Sequence, residues 1–429
     1  MLAGIVPVLR ISNQVVTRTD WRILSKSPTY LLERTMLMYI IGIDIGKKHH
    51  EASIVDDSGR LIGKSCRFTN THSGADRLMQ HMQKHIGQEA CVFGMEATGH
   101  YWYSIYSFLK SKGFTIHVIN PIQSDSLRSM YIRQTKNDAK DSFLIAEVIR
   151  FGQFTTTTLA DEKLLSMRQL CRYRDSVVSD RTEIKLRINT ILEQIFPEYE
   201  TLFSSIWRNS SISVLQKYLT PENIANAPVD ELYALLKEKS HNRLTMAKAI
   251  ALHDAAADTF GIKIAQSAFV FQLKQLFERL SLLTEQLAAL ESEILAYYES
   301  FHCYLHTIPG VGLMAAASIL AEVGDIHRFK SATALVAYAG IDPSVRQSGT
   351  FNSIHNHMSK RGSPYLRHAI FLAASTCSLH ESPLNAYYLK KKAQGKHHLT
   401  AVGAVSRKLT SIIYAILRDE TPYEAVKFS

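Results

Sequence analysis

The fold is decided by one stretch, "YIIGIDIGKKHHEASIVDDSGR", which runs from Tyr39 to Arg60. An aliphatic run ends at Asp44, and a second apolar run ends at the turn sequence Asp-Asp-Ser-Gly. Two apolar runs bounded by turn residues predict two strands that follow each other closely. A carboxylate at the end of the first strand can hold a metal ion, face the phosphates of a nucleotide or cap a turn.

The segments that follow predict a mixed α/β sheet. Further strands are predicted at "RLIGKSCRFT", "ACVFGME" and "FTIHVIN", and helices at residues 73–85, 101–112 and 137–150. Three strands joined by tight turns, followed by alternating helices and strands, form the order of an RNase H-like domain. The next segment, Phe151 to Glu162, has a threonine run and no helical period, so it is predicted to be a linker.

A long helical region is predicted beyond this linker. Its first helix, residues 164–195, carries basic side chains that either form a solvated face or contact nucleic acid. Apolar residues at steps of four and three from Phe269 to Ile294 are typical of a coiled-coil seam, which we expect to hold protomers together. The basic residues considered for nucleic-acid binding are Arg168, Arg172, Arg181 and Lys185.

The chain from residue 301 onward is predicted to be mainly α-helical. Its turn "IPGVG" resembles a helix-hairpin-helix, in which backbone N–H groups beside Gly310 and Gly312 approach a DNA phosphate. Any pair of helices can also turn on Pro and Gly. The predicted domains are an N-terminal extension at residues 1–37, an α/β domain at 38–155, a helical and coiled-coil region at 156–300 and a C-terminal domain at 301–429.

Composition favours an anionic partner and a reducing compartment. The 429 residues are enough for two or three domains, and the formal charge of +10 favours nucleic acid. No stretch has the roughly 18 uninterrupted apolar residues that a membrane span needs, and the start "MLAGIVPVLR" reverses the order of a secretory signal. The five cysteines are odd in number and far apart, which argues against a disulfide framework and favours the cytoplasm.

Four acids occupy the positions that an RNase H-like metal site needs. Asp44 and Glu96 end the first and fourth strands, and strand ends of a parallel sheet gather at one edge. Asp138 and Asp141 lie three apart on the last helix, which puts both carboxylates on one face. Crowded carboxylates repel one another unless a cation compensates them, and magnesium is the oxygen-preferring ion that fits. The alternative is that Asp138 or Asn137 caps the helix and Glu96 is a surface acid.

The opening motif alone does not choose between two kinds of enzyme. Sugar kinases and Hsp70-like ATPases also begin with Gly-Ile-Asp-Ile-Gly and a hairpin around the phosphates of ATP. Such proteins need a second phosphate loop and a Gly-rich adenosine loop in a duplicated half. The chain after residue 151 is helical instead, which disfavours the kinase interpretation.

Six strings taken together identify a family. The chain resembles the DEDD transposases of bacterial insertion sequences, whose recombination is guided by a structured bridge RNA. The resemblance covers Tyr39 to about Arg418 and has no counterpart for the first 37 residues. The strings are "IIGIDIGKKHHEASIVD", "GMEATGHYW", "RQTKNDAKDS", "IPGVGLMAAASILAEVGD", "ALVAYAGIDPSVRQSGT" and "SKRGSPYLRHAIFLAA".

The resemblance implies a fold and a chemistry. It implies a RuvC-like domain, a helical coiled-coil region and a C-terminal domain with the serine that attacks DNA, which matches Ser348. It also implies three kinds of partner: donor DNA, target DNA and a guide RNA. It further implies a homo-oligomer, either a dimer or a tetramer in the synaptic complex, in which the acidic site and the serine meet across protomers. Four residues match the magnesium-binding acids of the family: Asp44, Glu96, Asp138 and Asp141.

The residues alone leave the nucleophile open. Ser348 is one of four serines near the Gly-rich loop, and a neutral serine needs a base or a metal for activation. A flexible polar loop is the alternative. The four serines are Ser344, Ser348, Ser353 and Ser363, and the cations that could neutralise a phosphate are Arg346, Lys360, Arg361 and Arg367.

We therefore expect an RNA-guided DNA transposase that uses a serine-linked intermediate and a magnesium site. A RuvC-like nuclease that uses water as its nucleophile is the first rival, because the four acids suffice for it. A non-catalytic nucleic-acid-binding protein is the second. The sequence leaves open the target and donor DNA, the guide RNA, the number of protomers and the place of residues 1–37.

Overall fold

The computed structural model describes residues 38–97, 100–119, 137–152, 162–343, 347–348, 351–352 and 357–425. The chain packs as two compact units that meet in sequence at residues 158 and 159. The predicted N-terminal extension lies outside the described residues. The finer domain boundaries stay predictions.

The N-terminal unit is built on a five-stranded sheet with the order β3-β2-β1-β4-β5. Strand β2 runs antiparallel to β1 and β3, whereas β1, β4 and β5 are parallel. This confirms the predicted mixed sheet, although the third strand is shorter than predicted. The elements are β1 (Tyr39–Asp44), β2 (His49–Val55), β3 (Cys66–Thr69), α1 (His72–Ile86), β4 (Cys91–Glu96), α2 (Trp102–Ser111), β5 (Thr115–Ile119) and α3 (Asp138–Arg150).

A glycine in the opening motif allows α3 to lie directly on the sheet. A Cβ atom at Gly42 would stand 2.0 Å from the carbonyl oxygen of Ser142, so a larger residue would push the helix away. The hydroxyl of Ser142 also forms a hydrogen bond of 2.7 Å with that of Ser53 on β2. Because α3 carries Asp138 and Asp141, this contact fixes both acids beside the strand that ends in Asp44.

The second described unit is helical, with one two-stranded hairpin. Its long helices are α4 (Glu162–Ile195) and α9 (Gln266–Glu299), which contact each other extensively. The others are α5 (Asn209–Tyr218), α6 (Pro221–Ala225), α7 (Val229–Lys239), α8 (Met246–Ala257), α10 (Leu313–Val323), α11 (Ala332–Ala339), α12 (Pro364–Cys377), α13 (Pro383–Ala393) and α14 (His398–Asp419), and the hairpin is β6 (Gln347–Ser348) with β7 (Phe351–Asn352).

The heptad seam packs inside the chain. Leu280 and neighbouring seam residues share one core with the C-terminal half of α4, and Ile294 shares a second core with its N-terminal half. The two helices are therefore antiparallel partners of one another. Our expectation that this seam holds protomers together is wrong for its buried positions, because α4 of the same chain covers them. These positions are Leu273, Leu276, Leu280, Leu287, Leu290 and Ile294.

The most apolar long helix, α14, belongs to the second core. By length and composition alone it could cross a membrane. Val405, Leu409 and Ile413 are nevertheless fully buried against neighbouring helices. Its apolar character is explained by this packing.

The predicted glycine turn has a packing role. A single 3-10 turn, Leu305–Thr307, precedes it, and α10 follows it. Gly310 has φ +90°, and an added Cβ would lie 2.7 Å from the backbone nitrogen of Cys377 at the end of α12. Gly312 is the N-cap of α10, and an added Cβ there meets no atom within 4 Å. Their contact with DNA, and the helix-hairpin-helix, stay predictions.

Candidate active site

The first two acids lie side by side at one edge of the sheet. Strands β1 and β4 pair in parallel with Ile43 opposite Met95. The next residues along the two strands are Asp44 and Glu96, and neighbouring strands are about 4.8 Å apart. The sheet register alone therefore brings the two residues together, as the strand ends predicted. Both side chains are half-buried.

Helix α3 supplies the other two acids. Its N-cap is Asn137, whose side-chain oxygen accepts a hydrogen bond of 3.1 Å from the backbone N–H of Ala139. Capping is thus the role of Asn137, one of the two capping residues considered in the sequence. Asp138 is exposed in the first turn, and Asp141, three residues on, is only 6 % exposed.

Electrostatic repulsion shows that the four acids form one cluster. The pKa of Asp44 is raised from 3.8 to about 6, chiefly by burial and then by the negative charges of Asp141, Glu96 and Asp138 in that order. A hydrogen bond from the backbone N–H of Ile45 acts in the opposite direction and is outweighed. We call Asp44, Glu96, Asp138 and Asp141 the acidic cluster.

The donor set of the acidic cluster suits a hard divalent cation. Carboxylate oxygens are the ligands that such ions prefer, and a cation relieves the repulsion that raises the pKa of Asp44. As the side chains stand in the described part of the chain, no group of three or more His, Cys, Asp and Glu residues is close enough to hold a metal ion. The cluster is therefore assembled by the backbone, and side-chain rotation would have to complete the coordination.

A buried histidine supports the loop after Asp44. His50, 2 % exposed on β2, accepts a hydrogen bond of 3.3 Å at Nδ1 from the backbone N–H of Gly46. Burial lowers the pKa of His50, which favours the neutral ring that this contact requires. The only sequence feature that points to this support is the His-His pair after the opening motif. A pair of exposed histidines would have the same sequence, so the buried role of His50 could not be predicted.

Ser348 lies in a small hairpin of the second unit. Its backbone pairs with that of Phe351 across β6 and β7. The structure describes the backbone of Ser348 but not its side chain. An isolated bridge between Pro343 and Met358 closes the base of the segment, beside a hydrogen bond of 2.5 Å from the Ser359 hydroxyl to Asp342. Three residues of this segment that the sequence suggested as site residues also lie outside the described residues: Ser344, Arg346 and Ser353.

Two cations stand near the base of this hairpin. Lys360 and Arg361 directly follow Ser359 and are exposed. Arg367 instead donates a hydrogen bond of 3.2 Å to the carbonyl oxygen of Ala339 at the end of α11. Exposed cations here suit the predicted contact with a phosphate, whereas Arg367 is partly engaged within the protein.

Ser363 has a structural role. Its hydroxyl donates to Glu322 over 2.8 Å and accepts a hydrogen bond from the backbone N–H of Leu366 as the N-cap of α12. A hydroxyl held in this way caps a helix and donates a hydrogen bond to a buried carboxylate. Among the four serines considered, Ser363 is therefore the one whose position is explained by a structural role, with no catalytic role needed.

Two arginines predicted to contact nucleic acid also make contacts within the protein, and their contact with nucleic acid stays a prediction. Arg172 pairs with the buried carboxylate of Glu322 through both of its oxygens, at 2.6 and 3.0 Å. Arg168 donates to the carbonyl oxygen of Ala321 over 2.6 Å. These contacts tie α4 to α10 and give both arginines a structural role that the sequence did not show.

The remaining predicted cations on α4 lie further along the helix. The ammonium group of Lys185 stands 4.9 Å from the ring centre of Trp207. Burial lowers the pKa of Lys185, and the nearby charge of Arg181 lowers it further. Repulsion between these two cations is what an anionic partner would relieve, so their contact with nucleic acid stays a prediction.

Comparison with known proteins agrees with this arrangement of elements. A family model for DEDD transposases of the IS110 type, described as "Transposase", matches residues 41–197, which include the acidic cluster. A second model, described as "Transposase IS116/IS110/IS902 family", matches residues 303–389, which include Ser348. The chain belongs to the IS110/IS116/IS902 family of transposases. This confirms the family predicted from the six sequence strings.

Individual proteins align with this chain along most of their length. The IS110 protein of 43.6 kDa from Streptomyces coelicolor is 26% identical over 395 residues, 90% of this chain and 95% of its own. The pilin gene-inverting protein of Moraxella lacunata is 25% identical, over 90% of this chain and 97% of its own. The transposase for IS1111A of Coxiella burnetii is 25% identical, over 90% and 91%.

Membership of this transposase family establishes the general activity. The chain is a DNA-processing enzyme of the transposase and recombinase kind, and a domain of the DEDD type implies a divalent metal cation. The acidic cluster supplies four carboxylates in the unit that the first model matches.

Proposed function

We propose that this transposase cuts and rejoins donor and target DNA in the cytoplasm, guided by a structured RNA, through a DNA strand linked covalently to Ser348. The observation that carries the proposal is the acidic cluster, in which burial and the charges of three neighbouring carboxylates raise the pKa of Asp44. Uncompensated like charge at a buried sheet edge is costly unless a cation binds there. The guide RNA is supported by the family resemblance and by the net charge of +10.

The proposed ion is magnesium, held by Asp44, Glu96, Asp138 and Asp141. When bound, it offsets the negative charge that develops on the phosphate under attack. The residues themselves position the site: Gly42 lets α3 approach β1, and the sheet register sets Asp44 beside Glu96. His50 holds the loop that follows.

Serine chemistry accounts for both cutting and rejoining. The Oγ atom of Ser348 forms a bond to a backbone phosphorus, the bond from that phosphorus to one sugar oxygen breaks, and the serine proton is released to a base. A sugar hydroxyl of the other DNA then attacks the phosphoserine, which restores the serine and seals the new strand. Because each step exchanges one phosphoester bond for another, no external energy source is needed.

The acidic cluster and Ser348 belong to different units of the chain. We propose that they act together in a homo-oligomer, a dimer or a tetramer in the synaptic complex, so that assembly is a condition of activity. A nuclease that uses water at the acidic cluster needs no Ser348. The two functions therefore differ in what they require of one side chain.

Trapping the covalent intermediate tests this proposal. Wild-type protein mixed with DNA, RNA and magnesium, and denatured during the reaction, should yield DNA attached to a peptide that contains Ser348. Ser348→Ala should lose the adduct and strand exchange while it keeps DNA and RNA binding. Ser344→Ala and Ser353→Ala should both keep the adduct. DNA cleavage by Ser348→Ala at the wild-type rate, or an adduct on another residue, would assign the reaction to water or to a different nucleophile.

A further inference from the structure

The last two helices carry positive charge, and neither contains an acid before Asp419, the final residue of α14. From Ser382 to Leu417 the sequence contains no Asp or Glu. Runs of like charge repel one another and favour a partner of opposite charge. The Lys and Arg residues of this stretch are Lys390, Lys391, Lys392, Lys396, Arg407 and Lys408.

The fold brings lysines from both helices to one place. The ammonium groups of Lys391 on α13 and Lys408 on α14 stand 5.2 and 5.4 Å from the centre of the same ring, that of Tyr387. Lys396 follows in the turn, and its backbone N–H donates to the carbonyl oxygen of Lys391. Lys390 precedes Lys391 and is exposed. We call Lys390, Lys391, Lys396 and Lys408 the lysine surface.

Carboxylates do not neutralise the lysine surface. None of the ion pairs found among the described residues includes one of its four lysines. Lys391 donates instead to the neutral amide oxygen of Gln394 over 3.2 Å. Elsewhere in the same unit cations do have acidic partners, as in the pairs of Arg172 with Glu322 and Lys217 with Glu231. The absence of acids is therefore a property of this surface and not of the whole unit.

Helix dipoles explain only part of this charge. Lys390 and Lys391 lie in the last turn of α13, where positive charge is favourable. Lys396 lies instead just before the N-terminus of α14, where positive charge opposes the dipole, and the first turn of α14 has no acid. A solvated face would place acids there, whereas an anion-binding surface would not.

The lysine surface shares helix α14 with the support of the serine hairpin. A Cβ atom at Gly403 of α14 would stand 3.0 Å from the side chain of Met358. Met358 bridges to Pro343 across the base of the segment that holds Ser348. Arg407 and Lys408 follow Gly403 by about one helical turn. DNA that lies along α14 would therefore run toward the hairpin.

We propose that the lysine surface binds the phosphate backbone of duplex DNA. Ammonium groups without acidic partners attract a polyanion, and lysine contacts phosphates as a point charge without reading sequence. Lys390 and Lys396 are exposed, and Lys391 and Lys408 are half-buried. DNA is the polyanion on which this family acts, so the surface holds the substrate near the serine hairpin. The family model that includes Ser348 ends at residue 389, before all four lysines. The inference rests on the DNA-acting family, and its test does not require Ser348 to be the nucleophile.

A binding measurement with the full-length chain tests the surface. Lys390, Lys391 and Lys408 are replaced together by Gln, and affinity for a fluorescent 30-base-pair duplex of mixed sequence is measured across salt concentrations. Each lost phosphate contact should flatten the log-log salt slope by about 0.9, so three contacts should flatten it by about 2.7. Affinity at low salt should fall by roughly tenfold or more. The same change should appear in a Ser348→Ala background, which separates this result from the proposed chemistry.

Two matched variants decide between outcomes. The first variant removes an equal charge elsewhere, by replacing three exposed lysines of the same unit with Gln: Lys239, Lys263 and Lys274. This variant should keep the wild-type salt slope of DNA binding. Changing Lys390, Lys391 and Lys408 to Arg should also keep it. An unchanged slope in the Gln variant, an equal loss in the control, or a loss confined to RNA of the same length would overturn the proposal. A melting temperature equal to that of the wild type shows that the Gln variant is folded.

Discussion

The acidic cluster of the N-terminal unit and the buried carboxylate of Glu322 in the helical unit differ in whether their charge is compensated. The N-terminal unit gathers carboxylates at a sheet edge, where burial and then their mutual repulsion raise the pKa of Asp44 to about 6. In the helical unit the buried carboxylate of Glu322 is paired with the charged Arg172 and accepts a hydrogen bond from Ser363. Charge that is compensated inside the fold stabilises it, whereas like charge left uncompensated under burial points to a ligand. This difference predicts that substitutions in the two units fail in different ways.

The largest expected effect is a loss of activity without a loss of fold. Asp138→Asn removes one negative charge from the acidic cluster, and because this side chain is exposed, stability should stay within about 0.5 kcal/mol of the wild type. Strand exchange should fall by about a thousandfold or more if the carboxylate holds the ion. Recombination assays over a range of magnesium concentrations, with calorimetric titration of magnesium, measure both effects.

The matched control for Asp138 is Asn137, the neighbouring N-cap. Asn137→Ala should cost about 1 kcal/mol of stability through the lost cap while activity is retained. Full recombination by Asp138→Asn at ordinary magnesium concentrations would remove this acid from the proposed site. A similar loss of activity in both variants would show that the helix start, and not the carboxylate, is what matters.

The next largest effect is expected on the stability of the helical unit. Leu280→Asp places a charge in a core where the side chain is 5 % exposed, and this should cost about 3–5 kcal/mol. Leu282→Asp, on the same helix but 53 % exposed, should change stability by about 0.5 kcal/mol or less. Thermal unfolding gives the stability of both variants, and light scattering gives their mass. If Leu280→Asp were monomeric and kept the melting temperature of the wild type, the seam would be a contact between protomers after all.

Removing a compensated charge should give an intermediate effect. Arg172→Ala leaves Glu322 buried with only the Ser363 hydroxyl described as a remaining donor, and we expect a loss of about 2–3 kcal/mol because the arginine is partly exposed. Arg187→Ala, whose pair with Glu183 is exposed on both sides, should cost about 0.5 kcal/mol or less. Denaturant unfolding measures both. A flattened salt dependence of DNA binding in Arg172→Ala, with unchanged stability, would make this arginine a nucleic-acid contact.

Sequence reasoning succeeded where local pattern determines position. Strand periodicity placed Asp44 and Glu96 at strand ends, and the spacing of Asp138 and Asp141 placed both on one helical face. The sheet register then had to bring them together, because parallel strands end at a common edge. The backbone of the acidic cluster could be predicted for this reason.

Long-range partners could not be predicted in the same way. An arginine on an amphipathic helix has the same local sequence whether it faces water, nucleic acid or Glu322, which lies 150 residues away in the chain. Apolar residues spaced four and three apart indicate that a helix packs against another helix, but they do not indicate which one. The lysine surface was missed because Lys391 and Lys408 meet only after α13 and α14 fold against each other.

The smallest expected effect is a gain of stability in the acidic cluster. Asp44→Asn removes the carboxylate that the fold holds at a raised pKa, so the variant should be more stable than the wild type near pH 8 in the presence of a chelator. The difference in pKa corresponds to about 1–2 kcal/mol after allowance for partial exposure of the side chain. Thermal unfolding as a function of pH measures it, with Asp57→Asn in an exposed turn as the control.

The sign of the pH dependence identifies the cause. Because the folded pKa of Asp44 lies above its ordinary value of 3.8, folding takes up protons, and wild-type stability should fall as the pH rises from about 4 through about 6. Asp44→Asn should lack this fall. Magnesium should raise the melting temperature of the wild type above pH 6 and raise that of the variant less, since the ion compensates the charge that the substitution removes. A wild-type stability that rises over this pH range, or an equal magnesium effect on both proteins, would mean that repulsion within the acidic cluster is not what prepares the site for a cation.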